Sequence, residues 1–196
     1  SRITIPNGVT RLGDRAFFAR AGLTEVRLSA KLERIGGYAF ESCTALREIE
    51  LPQGMTELAA GAFKGCTALT ALDVPASVTS IGMDTFFYSG ITDLKLRCGA
   101  VSASGMAIAR SLMAMPDGAK VYLPRPSNST EYEKAMQFIY GNGQHTNCGA
   151  NAKVKVYWMD GTAPVAEPSA RSNSIITLTV KDKDEKTVTF SYDYTD

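Results

Sequence analysis

The sequence predicts an α/β solenoid: a coil of stacked turns with a parallel β-sheet on one face, short helical turns on the other, and a C-terminal β-hairpin extension. Three observations carry this expectation. First, the chain repeats itself. Ala39-Phe40-Glu41-Ser42-Cys43-Thr44-Ala45-Leu46 is echoed by Ala62-Phe63-Lys64-Gly65-Cys66-Thr67-Ala68-Leu69, and the echo belongs to longer columns. Ile5, Leu28, Leu51 and Val74 stand 23 residues apart, as do Leu12, Ile35, Leu58 and Ile81, and Phe17, Phe40, Phe63 and Phe86. Leu23, Leu46 and Leu69 keep the same interval, after which Ile91 and Leu96 arrive one residue early, at 22. Second, each period holds a run that ends in alternating apolar and polar residues, at 23–28, 46–51, 69–74 and 91–96. This is the period of a half-buried strand. Third, no single unit can bury its own Leu, Ile and Phe, so each turn must serve as the lid of the one before.

Each element follows in order. One strand per turn makes a parallel sheet, and Pro6, Pro52 and Pro75 end their strands because proline has no N–H to give the ladder. A second short extended piece follows at 9–12, 32–35, 55–58 and 78–81, and then a helical turn carrying the Ala-Phe pair. Stacking turns the Phe column into an internal aromatic stack and the Leu columns into a continuous aliphatic core. A fixed period between 20 and 29 residues, rich in Leu and Ile, points to a leucine-rich-repeat solenoid. The full pattern, as in "LPQGMTELAAGAFKGCTALTALDV", closely resembles the BspA-like leucine-rich repeats found mainly in bacterial surface and secreted proteins, and covers residues 3 to 124. The resemblance implies a curved or nearly straight solenoid used for adhesion and protein recognition rather than catalysis.

The repeat defines a first domain at 1–124. The interval lengthens to 27 before Val121-Tyr122-Leu123-Pro124, and the insert has Ser104 as an N-cap with Met106, Ala109, Leu112 and Met113 on one face of a helix. A C-terminal cap is expected at 125–160. It starts with a helix opened by a Thr130/Glu133 capping box and stopped at Gly141, and "AKVKVYWMDG" then offers one more strand to the sheet. Residues 161–173, rich in Pro, Ala and Ser, read as a linker or long loop. Residues 174–196 form a hairpin around "KDKDEK", either packed on the solenoid or starting a further domain. Ile3-Thr4-Ile5 begins inside a repeat column with no polar cap before it, which leads us to expect more sequence upstream, a signal sequence included.

Composition narrows the function class. Twenty-one basic and twenty acidic residues nearly cancel, so nucleic acid is not an expected partner. No apolar run reaches the length of a membrane span, so no membrane insertion is expected. His145, the single histidine, sits in a Gly/Asn loop without a second ligand or triad partner. "GNG" lacks the continuation of a phosphate loop, and Asp182, Asp184 and Glu185 lack the ligand series of a calcium loop. Asn128-Ser129-Thr130 is a glycosylation acceptor by pattern, relevant only in a eukaryotic secretory pathway. We therefore expect no enzyme, no cofactor and no metal. Among the cysteines, turn-equivalent spacing of about 4.8 Å permits a Cys43–Cys66 bridge, with buried free thiols as the plainer alternative. Cys98 and Cys148 form a second candidate pair.

The outward face of the sheet is the candidate binding surface. One row across the strands reads Thr4, Arg27, Glu50, Asp73, Lys95, and a second reads Arg2, Glu25, Glu48, Ala71, Asp93. Cross-strand pairing of Arg27 with Glu50 and of Asp73 with Lys95 would keep such a face soluble. As a recognition surface, Glu25, Arg27, Glu48, Glu50, Asp73, Asp93 and Lys95 would contact an extracellular or host protein or a glycan, with Tyr122 as the first aromatic anchor. The family resemblance implies export to the cell surface or medium, and a monomer is expected. The competing expectation is a structural spacer that displays another domain and has no ligand of its own.

Overall fold

The computed structural model describes residues 1–98, 112, 114–125, 127 and 154–159, and the backbone of 175–181 and 187–193. Along the chain, long-face and second-face strands alternate through the first four turns. The long face holds β1 (Arg2–Thr4), β3 (Glu25–Arg27), β5 (Glu48–Ile49), β7 (Ala71–Val74) and β9 (Asp93–Leu96). Between them lie β2 (Arg11–Leu12), β4 (Arg34–Ile35), β6 (Glu57–Leu58) and β8 (Ser80–Ile81). β10 (Lys120–Leu123) and β11 (Lys155–Trp158) extend the long face, and β12 (Ile175–Lys181) pairs antiparallel with β13 (Thr187–Asp193) as the expected hairpin.

All solenoid pairings are parallel. β1, β3 and β5 form one ladder and β7, β9, β10 and β11 another, with β5 and β7 in contact where the two meet. β2, β4, β6 and β8 form a second sheet, which accounts for the second extended piece of every unit. The strand read from "AKVKVYWMDG" is β11, paired with β10 from Lys120↔Lys155 to Leu123↔Trp158.

The apolar columns close on one another as the period requires. Phe40, Phe63 and Phe86 are fully buried together with Leu46, Leu58, Leu69, Met55 and Ile91. Phe17, Phe40 and Phe63 stack with centroids 5.2 and 5.6 Å apart and planes within 9° and 1° of parallel. On the long face Val26, Leu72, Leu94 and Val121 point inward while their chain neighbours face out. Such burial of whole columns, not any single contact, holds one turn to the next.

The expected helical turns are not helices, and this corrects the α/β assignment to a parallel-sheet β-solenoid of leucine-rich-repeat type. Among the described residues only Leu112 is helical. The backbone shows why. In the segments carrying the Ala-Phe pair, alternate N–H groups leave the turn: those of Arg15, Phe17 and Ala19 donate to the carbonyls of Gly37, Ala39 and Glu41, each at 2.8 Å. The same three bonds recur one turn on, from Tyr38, Phe40 and Ser42 to Ala60, Ala62 and Lys64, and again from Gly61, Phe63 and Gly65 to Met83, Thr85 and Phe87. The intervening donors close short i→i−3 turns, as Phe18 does onto Arg15. A helix needs every N–H for its own i−4 carbonyl, and here every second one is committed to the neighbouring turn. The alternation also forces two left-handed residues per turn, in columns 23 apart: Arg15, Tyr38, Gly61 and Asp84, then Ala19, Ser42, Gly65 and Tyr88.

The shortened interval has a local cause as well. With one residue fewer between Ser89 and Ile91, the backbone at Gly90 presses on the preceding turn, its N–H donating to the Cys66 carbonyl at 3.0 Å. A Cβ at Gly90 would lie 2.0 Å from the Thr67 carbonyl oxygen, so only glycine fits.

Cys43 and Cys66 are buried, unbridged thiols. Their S–H groups donate to the carbonyls of Phe17 (3.1 Å) and Phe40 (3.0 Å), tying each turn to the one before. Cys98 is also buried. Cys148, His145, the acceptor at Asn128, the helices expected after Ser104 (Leu112 apart) and Thr130, the 161–173 segment and the "DKDEK" turn lie outside the described residues.

Candidate functional site

Strand alternation and parallel register build the outward face into two rows. One runs Arg2↔Glu25↔Glu48 on the first ladder and Ala71↔Asp93↔Lys120↔Lys155 on the second. The other runs Thr4↔Arg27, then Asp73↔Lys95↔Tyr122↔Tyr157. Glu50 follows β5 directly and is exposed. Glu25, Arg27, Glu48, Glu50, Asp73, Asp93, Lys95 and Tyr122 thus all stand on the solvent side of the two ladders, each exposed or half-exposed beside a buried neighbour.

The charges pair differently from the sequence expectation. Glu25 is held from two sides, by Arg2 across the strands at 2.9 Å and by Arg27 on its own strand at 3.1 Å, so Arg27 does not pair with Glu50. Asp73 is opposite Lys95 in register but accepts two hydrogen bonds from the Arg97 guanidinium, at 2.7 and 2.8 Å. This fork-to-carboxylate geometry is the strong form of the pair. The hydrogen bond first, and the Asp73 charge second, hold the Arg97 pKa above its usual value. Glu25 is partly covered and its partners, like Asp73 and Arg97, stand open to solvent, so screening leaves each pair only a small contribution to stability. Their effect is to fix where charge sits on the face.

Reading the sequence alone missed Arg97, Lys120, Lys155 and Tyr157. The rings of Tyr122 and Tyr157 stack with centroids 5.5 Å apart and a 27° interplanar angle. Alternation in "AKVKVYWMDG" signalled a strand. Its register against Tyr122 could not be counted, because the 23-residue period no longer holds there.

A BspA-type leucine-rich-repeat model matches residues 1–111 in six copies, more than half of the chain. The chain belongs to this BspA-type family. Two solved structures agree on the fold. A leucine-rich-repeat protein of T. pallidum is similar at 28% identity and a TM-score of 0.51, over 63% of this chain and 58% of that one. The pneumococcal vaccine antigen PcpA is similar at 20% identity and a TM-score of 0.53, over 69% of this chain and 38% of that one. A leucine-rich-repeat protein from Bacteroides ovatus is 24% identical, over 81% of this chain and 30% of that one, at a TM-score of 0.49. The BspA-type chain described here therefore spans between about a third and three-fifths of the length of these relatives. No curated protein matches it.

Among the described residues, no group of three or more His, Cys, Asp or Glu side chains is placed to hold a metal. Among the described residues, no helix is long and apolar enough to cross a membrane.

Proposed function

We propose that this chain is a non-enzymatic recognition module of a cell-surface or secreted bacterial protein, binding an extracellular protein or glycan through the outward face of its long sheet. The observation that carries this reading is the pair of rows of charged and aromatic side chains, aligned in register within each ladder, Arg2 to Glu48 on the first and Ala71 to Lys155 and Tyr157 on the second, over a stacked apolar core. A rigid backbone presents those side chains without an ordering cost at binding, which is the use solenoids make of their regular face. Membership of the BspA-type family and the likeness to a vaccine antigen support an exported setting.

The test is binding of the full chain to an immobilised panel of extracellular matrix proteins and host glycans at two salt concentrations, beside an Arg27→Glu/Lys95→Glu variant. Saturable binding that the variant loses is the expected result. No binding across the panel would leave the chain as a spacer, with recognition assigned to another part of a longer protein.

A further inference from the structure

Charge is not spread evenly along the outward face. Toward β1 the carboxylates of Glu25, Glu48 and Glu50 are accompanied by Arg2 and Arg27, and Glu25 takes both arginines. At the other end Lys95, Lys120 and Lys155 come from three adjacent parallel strands, about 4.8 Å from one to the next. Lys120 and Lys155 are direct register partners, an arrangement of like charges that destabilises a sheet. The equivalent clash of Glu25 with Glu48 is relieved by two arginines, but among the described residues no carboxylate forms an ion pair with Lys95, Lys120 or Lys155. Asp73 is occupied by Arg97, and Asp93, next to Lys120 in register, makes no ion pair with it.

The Tyr122/Tyr157 stack stands beside these lysines. Both tyrosines are half-exposed, and stacking turns one face of each ring toward the other. An aromatic rim carries the positive side of the ring quadrupole, and a phenol hydroxyl donates a hydrogen bond. Neither hydroxyl has a hydrogen-bond partner among the described residues. The two inner faces of the pair are closed to a stacking sugar ring. Rims, hydroxyls and three ammonium groups together suit carboxylates, and Tyr is among the residues that anchor protein interfaces.

We propose that Tyr122, Tyr157, Lys95, Lys120 and Lys155 form the docking site for an acidic protein segment, rich in Asp and Glu. The proposal rests on the recognition reading above and names its partner chemistry. Partner carboxylates would relieve the Lys120/Lys155 repulsion, and the basic end of the face would steer the acidic segment to it.

The experiment measures binding of the full chain to poly-L-glutamate and to two anionic polysaccharides, heparin and hyaluronan. It is run at 0.15 M salt, where exposed charges more than about 8 Å apart are screened. Lys120→Glu/Lys155→Glu and Tyr122→Ala/Tyr157→Ala are compared with Lys31→Glu, an exposed charge reversal off the strands of the long face. We expect saturable binding of poly-L-glutamate, weakened at least tenfold in the lysine pair and at least threefold in the tyrosine pair, and unchanged in Lys31→Glu. Equal or tighter binding of either polysaccharide would overturn the proposal, as would a poly-L-glutamate affinity that ignores both site variants. If the extracellular panel still binds and loses affinity in Arg27→Glu/Lys95→Glu while poly-L-glutamate does not bind, the acidic-segment proposal alone fails. Failure of every ligand overturns the recognition reading as well.

Discussion

Removing one ring from the middle of the aromatic stack tests the account of how the turns hold together. Phe40 is fully buried and stacks on Phe17 and Phe63, whereas Phe17 is half-buried and has one stacked neighbour, Phe40. A buried Phe→Ala change costs about 3–5 kcal/mol through lost transfer energy and the cavity left behind. Phe40 belongs at the upper end, about 4–5 kcal/mol, because solenoid turns are rigidly spaced by the ladders and cannot collapse into the hole. Phe17→Ala opens a site that already meets water and gives up one stacking contact, for about 2 kcal/mol. Against a total stability of roughly 5–15 kcal/mol, the Phe40 change removes a third or more. Since turns couple only to their neighbours, it should also divide the unfolding transition in two. Urea unfolding followed by circular dichroism reads both effects: a large drop in midpoint with a broadened transition for Phe40→Ala, and a small drop without broadening for Phe17→Ala. Equal losses for the two variants would refute the nearest-neighbour argument, because burial and contact would then not decide the cost.

The left-handed columns make a second test. Gly65→Ala, where the new Cβ finds ordinary contact with Ser42, should lose roughly 1–2 kcal/mol from its +70° φ alone, while Gly61→Ala also drives a Cβ to 2.4 Å from the Tyr38 ring and should lose more. Thermal unfolding of the two variants ranks them. Gly90→Ala should cost more than Gly65→Ala in the same assay, since its Cβ would lie 2.0 Å from backbone where that of Gly65 finds only ordinary contact. Burial, reinforced by the neighbouring Cys43, pushes the Cys66 thiol from an ordinary value of 9.0 up to about 12. The unfolded chain therefore ionises first, and the stabilising preference for the neutral thiol is intact below about pH 9. It falls away between pH 9 and 12 by up to about 1.4 kcal/mol per pH unit. Stability measured across that range should drop less steeply in Cys66→Ala than in the unsubstituted chain; parallel slopes would show that the thiol is not the group responsible.

The sequence by itself determined the coil, its period and its core, because a solenoid writes each buried position as a column. Leu12, Ile35, Leu58 and Ile81, or Phe40, Phe63 and Phe86, need only be counted to be placed inside. It also determined which side of β3, β7 and β9 faces out, since strand alternation is a local property. Periodicity cannot say where the backbone donors go. The Ala-Phe segments read as helical until the N–H groups of Arg15, Phe17 and Ala19 are seen to bond the next turn, a choice made only when two turns meet. The same holds for the left-handed pairs, of which only Gly61 and Gly65 carry the residue that would mark them. Within the candidate site, Glu25 to Lys95 could be listed by counting, but who pairs with whom could not. Asp73 turns to Arg97, beyond the end of its strand's neighbour, because a guanidinium fork fits a carboxylate better than the opposite lysine does. Tyr157 meets Tyr122 across 35 residues of chain that keep no period, and only the parallel register of β10 and β11 brings those rings and their flanking lysines together.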